Sequence, residues 1–280
     1  MTILSDANSE QPIIKVNNLG TRFDSHWVHK GLNLEIFPNR IIAIIGDSGA
    51  GKTTLMRQIL MLEDIAEGSI FLMGECVTDV APGSRESKLM ASKMGMMFQK
   101  GALFSSLTVL ENIIYPLQEY TDFSYPTLEE IAKVKLNLVG LPKSAFNLFP
   151  ADLSGGMIKR TALARAIALD PEVIFLDEPS AGLDPNSAHE LDILIRELQE
   201  SLSLTVIMVT HDLDTLWHIV DEIVYLGNRK VLLHDTITNA ANNKEHEALY
   251  NYFNGPRGHK VKAIHQSSLP ASIRNTSNEK

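Results

Sequence analysis

The sequence has few of the features that mark secreted or membrane-spanning proteins. It carries one cysteine, Cys76, among 280 residues, which excludes a disulfide framework and a thiolate metal site. No stretch approaches the ~18 consecutive apolar residues that a membrane-spanning helix needs. The first residues, MTILSDANSEQP, are polar and lack a basic segment followed by an apolar core, so no signal peptide is predicted. These absences favour a reducing cytosol.

Positive charge is also scarce. Lys and Arg number 25 against 34 Asp and Glu, which gives a formal net charge of -9. Proteins that bind the phosphate backbone of nucleic acids are usually basic, so we expect no nucleic-acid partner. Histidines give no metal site either: His26 and His29 form an i, i+3 pair without further ligands, and both are expected at the surface.

Hydrophobic patterning predicts an α/β fold with a mostly parallel central sheet. Alternating residues at 13–23 and 32–37 predict half-buried antiparallel strands near the N-terminus. Continuous apolar runs predict strands buried on both faces; they are RIIAIIG (40–46), EVIFLDE (172–178) and TVIMVTH (205–211). Periodicity between about 84 and 169 is helical, and the segment DEIVYLGNRKVLLHD predicts a hairpin that turns at Gly227-Asn228.

The predicted domain organisation is a flexible lead over residues 1–10, one folded domain over 11–250 with a helical subdomain at about 84–169, and a polar, locally basic tail over 251–280. A charge run of this kind is usually a solvated segment. The alternative is a clamp on a partner subunit or on anionic lipid headgroups.

A phosphate-binding loop follows the first buried run. GDSGAGKT fits the pattern G-x-x-x-x-G-K-[ST] and lies between a predicted strand and a predicted helix. Its glycines let successive backbone N–H groups point at phosphate oxygens, Lys52 reaches the β- and γ-phosphates, and the Thr53 hydroxyl ligates Mg²⁺. The ligand is therefore a nucleoside triphosphate, and the predicted binding residues are Gly46, Asp47, Ser48, Gly49, Ala50, Gly51, Lys52, Thr53 and Thr54.

Two acids end the second buried run. Asp177 and Glu178 lie at the carboxyl end of a parallel strand, the edge where ligands bind in such sheets. Adjacent residues of a strand point to opposite faces, so each acid has its own task. Asp177 is predicted to hold the Mg²⁺ hydration shell, and Glu178 to polarise the attacking water.

A second anion-binding sequence occurs at LSGGMIKR. Ser154 is predicted to cap a helix that begins at the glycines, whose free N–H groups would face an anion. One chain thus carries two phosphate cradles, and the natural target of the second is a nucleotide held by another copy.

Together these motifs resemble ATP-binding cassette ATPases over roughly residues 14–233. The resemblance implies that Phe23 stacks on adenine, that Gln99 contacts Mg²⁺ and the attacking water, and that His211 contacts the γ-phosphate. Ser154, Gly155 and Gly156 match the signature motif, and SAGLD (180–184) matches the loop that ends at Asp184. Two departures are Asn39-Arg40 where the family usually has Gly-Glu, and Met157 where Gln is commoner; neither is read as loss of activity.

The resemblance implies an α/β P-loop ATPase with an N-terminal antiparallel β subdomain and an inserted α-helical subdomain, which uses ATP and Mg²⁺. It further implies a homodimer bound to transmembrane permease subunits at the cytoplasmic face of a bacterial inner membrane. Gly101-Ala102-Leu103-Phe104 and SGGM resemble the ATPases of Mla-type phospholipid transporters, whose partners include an MCE-domain and a STAS-domain protein. The alternatives are an importer of nutrients such as amino acids and a soluble cassette ATPase without a transport role.

Overall fold

The structure, a computed structural model, describes residues 11–81, 83–256 and 258. The predicted lead over 1–10 and the predicted tail beyond 258 lie outside the described residues. Two sheets organise the chain. They have four and six strands; one hydrophobic core lies between the two sheets, and a second packs the other face of the six-stranded sheet against helices.

The smaller sheet is antiparallel, in the order β2-β1-β4-β5. Its strands are β1 Ile14–Phe23, β2 His26–Ile36, β4 Glu67–Leu72 and β5 Glu75–Cys76. Its inward residues, such as Ile14, Leu32 and Ile70, pack with the alternate face of the larger sheet, including Ile42 and Ile44 of β3. The predicted antiparallel N-terminal strands are confirmed as β1 and β2.

The larger sheet carries the predicted buried strands at its centre. Its order is β10-β9-β3-β8-β7-β6, parallel except for the β9–β10 hairpin. The strands are β3 Ile41–Gly46, β6 Met94–Met97, β7 Val173–Asp177, β8 Thr205–Val209, β9 Glu222–Gly227 and β10 Lys230–Thr236. Because β3, β8 and β7 are neighbours and parallel, their carboxyl ends meet at one edge.

Helices flank the larger sheet and form the region before β7. They are α1 Lys52–Ile59, α2 Arg85–Ser92, α3 Val109–Tyr120, α4 Tyr125–Leu138, α5 Gly155–Ala166, α6 Pro185–Leu202, α7 Leu213–Ile219, α8 Ile237–Asn242 and α9 Glu247–Asn254. Short 3₁₀ turns at Lys143–Ala145 and Pro150–Asp152 precede α5. The predicted architecture, an α/β core with an N-terminal antiparallel sheet and a helical region, is confirmed.

Three local expectations were wrong. The strand β6 lies inside the region where only helical periodicity was expected, because MGMM is too short to show a strand period. The hairpin turns at Asn228-Arg229, with φ of 48° and 68°, because a two-residue turn that matches strand twist needs positive φ at both positions. His29 is fully buried and not at the surface, because it lies on an inward position of β2, bonded to Thr21 Oγ1 at 2.8 Å.

Candidate active site at the carboxyl ends of the central strands

The phosphate loop joins β3 to α1, as predicted, and needs its glycines. Gly46 has φ of 151°, and a Cβ placed there would lie 2.3 Å from the Leu226 carbonyl oxygen. Gly51 has φ of 87°, and a Cβ there would lie 2.3 Å from His29 Nε2. A side chain at either position would therefore displace the loop from the neighbouring strands.

Lys52 closes the loop on itself. Its Nζ donates hydrogen bonds to the carbonyl oxygens of Gly46 at 2.8 Å and Asp47 at 2.9 Å. The ammonium is thus held at the start of α1, where the helix dipole adds partial positive charge. Loop residues Asp47, Ser48 and Gly49 are exposed, and Ala50, Thr53 and Thr54 are partly buried. This arrangement fits an anionic ligand.

The paired acids lie where β7 ends, but their backbones differ. Asp177 is the last residue of the strand, and its pKa is raised by burial and by Glu178, against Arg57 and Lys159, which lower it. Glu178 has φ of 46°, and its N–H donates to the Val209 carbonyl oxygen at 2.8 Å. A left-handed conformation is costly for a residue with a side chain, so contacts around Glu178 must hold it there.

Glu178 and His211 form a hydrogen-bonded pair. His211 Nδ1 lies 2.7 Å from Glu178 Oε1, although the residues are 33 positions apart in the chain. Both follow parallel neighbours, β7 and β8, whose carboxyl ends meet. The His211 side chain is 79% exposed and that of Glu178 is 16% exposed, so the pair opens to solvent on the histidine side. A carboxylate oriented by an imidazole beside a phosphate loop can accept a proton from a water molecule.

A cavity of about 130 Å³ brings the phosphate loop and His211 together. The helix α9 forms its far wall, which the sequence did not indicate. Tyr252 of α9 donates a hydrogen bond from its hydroxyl to the His211 carbonyl oxygen at 2.7 Å. The lining residues are Ile45, Gly46, Asp47, Lys52, Thr210, His211, Tyr225, Ala248, Leu249 and Tyr252.

Gln99 lies in an exposed loop just after β6 and is joined to Glu178 by a residue that the sequence did not single out. Lys159 Nζ donates to the Gln99 carbonyl oxygen at 2.6 Å and lies 3.2 Å from the Glu178 carbonyl oxygen. Lys159 is buried on α5. Arg160 and Arg165 lie in the same helix, so no local pattern in the sequence set Lys159 apart.

The second cradle is built as predicted but lies apart from the first within one chain. Ser154 caps α5, accepting a hydrogen bond from the Met157 N–H at 3.3 Å, and the helix begins at Gly155. Ser154 and Gly156 line a groove with Leu183, whereas the phosphate loop lines the cavity beside α9.

The remaining predicted residues are placed individually. Phe23 ends β1 and is 52% exposed, so its ring is free to stack on a ligand. Asp184 caps α6, accepting from the N–H groups of Asn186 and Ser187 at 3.1 Å each. The Ser187 hydroxyl also donates to Asp184, and this bond is the largest cause that lowers the pKa of Asp184. The two N–H bonds lower it further.

The oxygen donors of the site suit a Mg²⁺ ion that also takes ligands from phosphate and water. They do not suit a metal ion held by protein side chains alone. Within residues 11–81, 83–256 and 258, no three His, Cys, Asp or Glu side chains lie close enough to hold a metal ion. Mg²⁺ needs less from a protein, since one carboxylate and a hydroxyl suffice when phosphates and water supply the other oxygens. Asp177, Thr53 and Gln99 offer such oxygen donors. In the same part of the chain, no helix combines the length and apolar character of a membrane span.

Known proteins resemble this chain over most of its length. A model of the ABC transporter family matches residues 29–181. The intermembrane phospholipid transport system ATP-binding protein MlaF of Haemophilus influenzae is 39% identical over 81% of this chain and 84% of its own. The methionine import ATP-binding protein MetN of Francisella tularensis is 35% identical over 78% of this chain and 63% of its own.

A solved structure shares the fold. It is the ATP-binding cassette MJ0796, dimeric, in a post-hydrolysis state bound to ADP and Pi; its TM-score is 0.73 at 28% identity, covering 80% of this chain and 98% of that one. In this chain a phosphate loop lies between β3 and α1, acids end β7, and α5 begins at capped glycines. The chain therefore belongs to the ABC transporter family, and it is an ATP-binding, ATP-hydrolysing cassette.

Proposed function

We propose that the chain is the ATPase subunit of a transporter that moves phospholipid between the inner and outer membranes of a bacterium. The similarity to MlaF supports this substrate, since the identity is higher, 39% against 35%, and the match covers more of the relative's own length, 84% against 63%, than the match to the methionine importer of Francisella tularensis. The loop Gly101-Ala102-Leu103-Phe104 and the signature with Met157 point the same way. An importer of nutrients is the alternative, since relatives of that kind also match.

The hydrogen-bonded pair of Glu178 and His211 carries the proposed chemistry. The water oxygen attacks the γ-phosphorus of ATP, the bond to the ADP oxygen breaks, and the water proton passes to the Glu178 carboxylate. His211 orients that carboxylate and stabilises negative charge on the γ-phosphoryl oxygens, together with Lys52. Bound Mg²⁺, held by Thr53, Asp177 and Gln99, would neutralise charge on the phosphate oxygens.

Two copies complete each site in this proposal. Ser154 and Gly156 of one copy donate to the γ-phosphate held by Lys52 of the other, while Phe23 stacks on the adenine and Asp184 borders the shared interface. The proposed partners are transmembrane permease subunits, an MCE-domain protein and a STAS-domain protein. The proposed location is the cytoplasmic face of the inner membrane, reached through the permease.

The test is phospholipid movement by the assembled complex. A tagged full-length chain is purified from its own membranes with its partners and placed in liposomes that contain a fluorescent phospholipid. We expect ATP-dependent transfer with the native chain and none with Glu178→Gln, which still binds ATP but lacks the proton acceptor. Phospholipid transfer at the same rate with and without ATP would contradict the proposal. ATPase activity that an amino acid stimulates and phospholipid does not would contradict the proposed substrate.

A further inference from the structure

We propose that Lys159 is a positioning residue that ties the backbone of Gln99 to that of Glu178. Through this link, a displacement of the loop 99–102 changes the position of the Glu178 carboxylate. This role rests on the functions proposed above for Gln99 and Glu178. The first turn of α5 carries the signature glycines. Lys159 connects the same helix to the Glu178 site of its own chain.

The burial of Lys159 requires the two carbonyl groups that it contacts. The residue is 5% exposed, and its Nζ contacts the Gln99 and Glu178 carbonyl oxygens at 2.6 and 3.2 Å. Burial lowers the pKa of the Lys159 ammonium, while the carboxylates of Glu178 and Asp177 favour its charged form. A buried cation without such acceptors would be strongly destabilising, so the ammonium stays where both carbonyls are within reach.

Glu178 needs such a contact because its backbone is left-handed. With φ of 46° and a side chain, it lies in a sparsely populated region that persists only where surrounding contacts enforce it. Its N–H donates to the Val209 carbonyl oxygen, and its own carbonyl accepts from the Ala181 N–H at 3.1 Å and from Lys159. The first two bonds come from β8 and the following turn; Lys159 is the contact that comes from the helical region.

The loop after β6 is held by the same helix. Gly101 and Ala102 both have positive φ, of 77° and 48°, and the guanidinium of Arg165 donates to their carbonyl oxygens at 2.8 and 2.9 Å. A Cβ placed on Gly101 would lie 2.9 Å from Cγ2 of Ile158. The loop backbone is thus held against α5 at several points.

Lys159 differs from Arg165 in what it connects. Arg165 contacts two adjacent carbonyls of one loop, whereas the Lys159 ammonium contacts carbonyls on two separate segments. The loop 99–102 borders an exposed groove lined by Phe104, Tyr115 and Pro116. A force applied at this groove therefore has a short path to Glu178, through the Gln99 carbonyl and one side chain.

The test compares variants of Lys159 in the full-length chain. Lys159→Met keeps the length of the side chain without donors, Lys159→Arg restores a cation, and Lys133→Met removes an exposed lysine of α4 whose partners are Glu129 and Glu130. ATP hydrolysis is measured against ATP concentration, and amide exchange is followed in segments 99–102 and 178–181. We expect K159M to lower kcat about tenfold or more, since small misplacements of a reacting group have such effects.

The remaining measurements separate positioning from general damage. We expect the KM for ATP to stay within about twofold, K159R to recover part of kcat, K133M to match the native chain, and exchange to rise in both segments of K159M. A folded K159M with native kcat, or kcat and KM that worsen together with the melting temperature, would overturn the role of Lys159. If K159M fails to fold, Lys159→Gln takes its place: a lower kcat that K159R partly recovers supports the role of Lys159, and a native kcat contradicts it. Normal turnover by Glu178→Gln would instead overturn the proposed function.

Discussion

At the scale of single residues, two buried titratable groups give the protein opposite responses to pH. Burial lowers the pKa of His29 below its ordinary 6.5, so the unfolded chain binds a proton that the folded chain refuses, and stability falls as the pH falls below that value. Burial, with Asp212 and Asp214, raises the pKa of Asp192 to about 7, against a hydrogen bond from Thr215. The folded chain then retains a proton that the unfolded chain loses above pH 3.8, so stability falls as the pH rises towards 7.

Replacing Asp192 by Asn should therefore stabilise the protein, and more so at alkaline pH. The Asn oxygen still accepts from the Thr215 hydroxyl, while the buried charge is removed; Oδ1 of Asp192 has no hydrogen-bond partner in the described structure. A tenfold change in proton affinity is worth about 1.4 kcal/mol, so we expect a gain on the order of 1–3 kcal/mol at pH 8 that shrinks towards pH 5. Urea unfolding at both values measures it. Asp122→Asn, at an exposed position, is the control; a D192N gain that does not depend on pH would contradict the raised pKa.

The positions of residues that belong to a motif were predictable, and contacts made through packing were not. Lys52 was placed by the phosphate-loop pattern, Glu178 by the buried strand that precedes it, and His211 by the family resemblance; the structure brings Glu178 and His211 together. His29 was misassigned, because Val28 and Lys30 beside it give no clear alternation of apolar and polar residues, and nothing local shows that β2 turns this position inward. Lys159 and Tyr252 were missed, because each contacts its partner through a fold that brings together positions tens of residues apart.

At the scale of elements, α9 connects the end of the described chain to the loop that carries His211. Leu249 and Phe253 are buried, and the Phe253 ring packs edge-on against Trp217 of α7 at 5.8 Å. One residue away, the Tyr252 hydroxyl holds the His211 carbonyl, and burial raises the pKa of that hydroxyl. The helix therefore contacts both the loop that carries His211 and the helix that follows it. It also crosses position 251, where the polar tail was predicted to begin.

Replacing Tyr252 by Phe should impair turnover without impairing nucleotide binding. The substitution keeps the ring against Phe253 and removes only the hydrogen bond to the loop, which is worth about 1 kcal/mol. We expect a several-fold lower kcat with a nearly unchanged KM for ATP, because the loop then holds His211 less well. Steady-state phosphate release measures both constants. Tyr250→Phe removes another tyrosine hydroxyl from the same helix and should behave as the native chain. Equal effects of the two variants would show that α9 acts only through stability.

At the scale of the whole molecule, the order of elements followed from the sequence more fully than their pairing. Three apolar runs and the phosphate loop established a parallel α/β core, because strands buried on both faces have no alternation. The order β10-β9-β3-β8-β7-β6 was not predictable from those runs, since each could pair with either of the others. The edge strand β6 was missed altogether, although it positions Gln99.

The separation of the two phosphate cradles within one chain leads to a prediction about the dimer. Gly156 lines the groove with Ser154 and Leu183, away from the cavity of Lys52, so the proposed site combines the cradle of one copy with the phosphate loop of another. A Cβ placed on Gly156 meets no atom within 4 Å, so Gly156→Asp should fold normally while placing a negative charge where phosphate would bind. Lys52→Ala removes the ammonium of the other cradle, and each variant alone should be inactive.

Mixing the two variants should restore activity, because a heterodimer contains one site with both native cradles and one site with neither. Random pairing makes half of the dimers mixed, and one working site of two then gives roughly a quarter of native turnover, if the sites act independently. Differently tagged copies allow the heterodimer to be isolated, and its rate per dimer should be about half of the native rate. A chain with both substitutions, mixed with native chain, forms heterodimers in which each site lacks one cradle, so those heterodimers should be inactive. Activity in that control heterodimer after its isolation from the native homodimer, or none in the isolated K52A–G156D heterodimer, would contradict independent sites built from two chains.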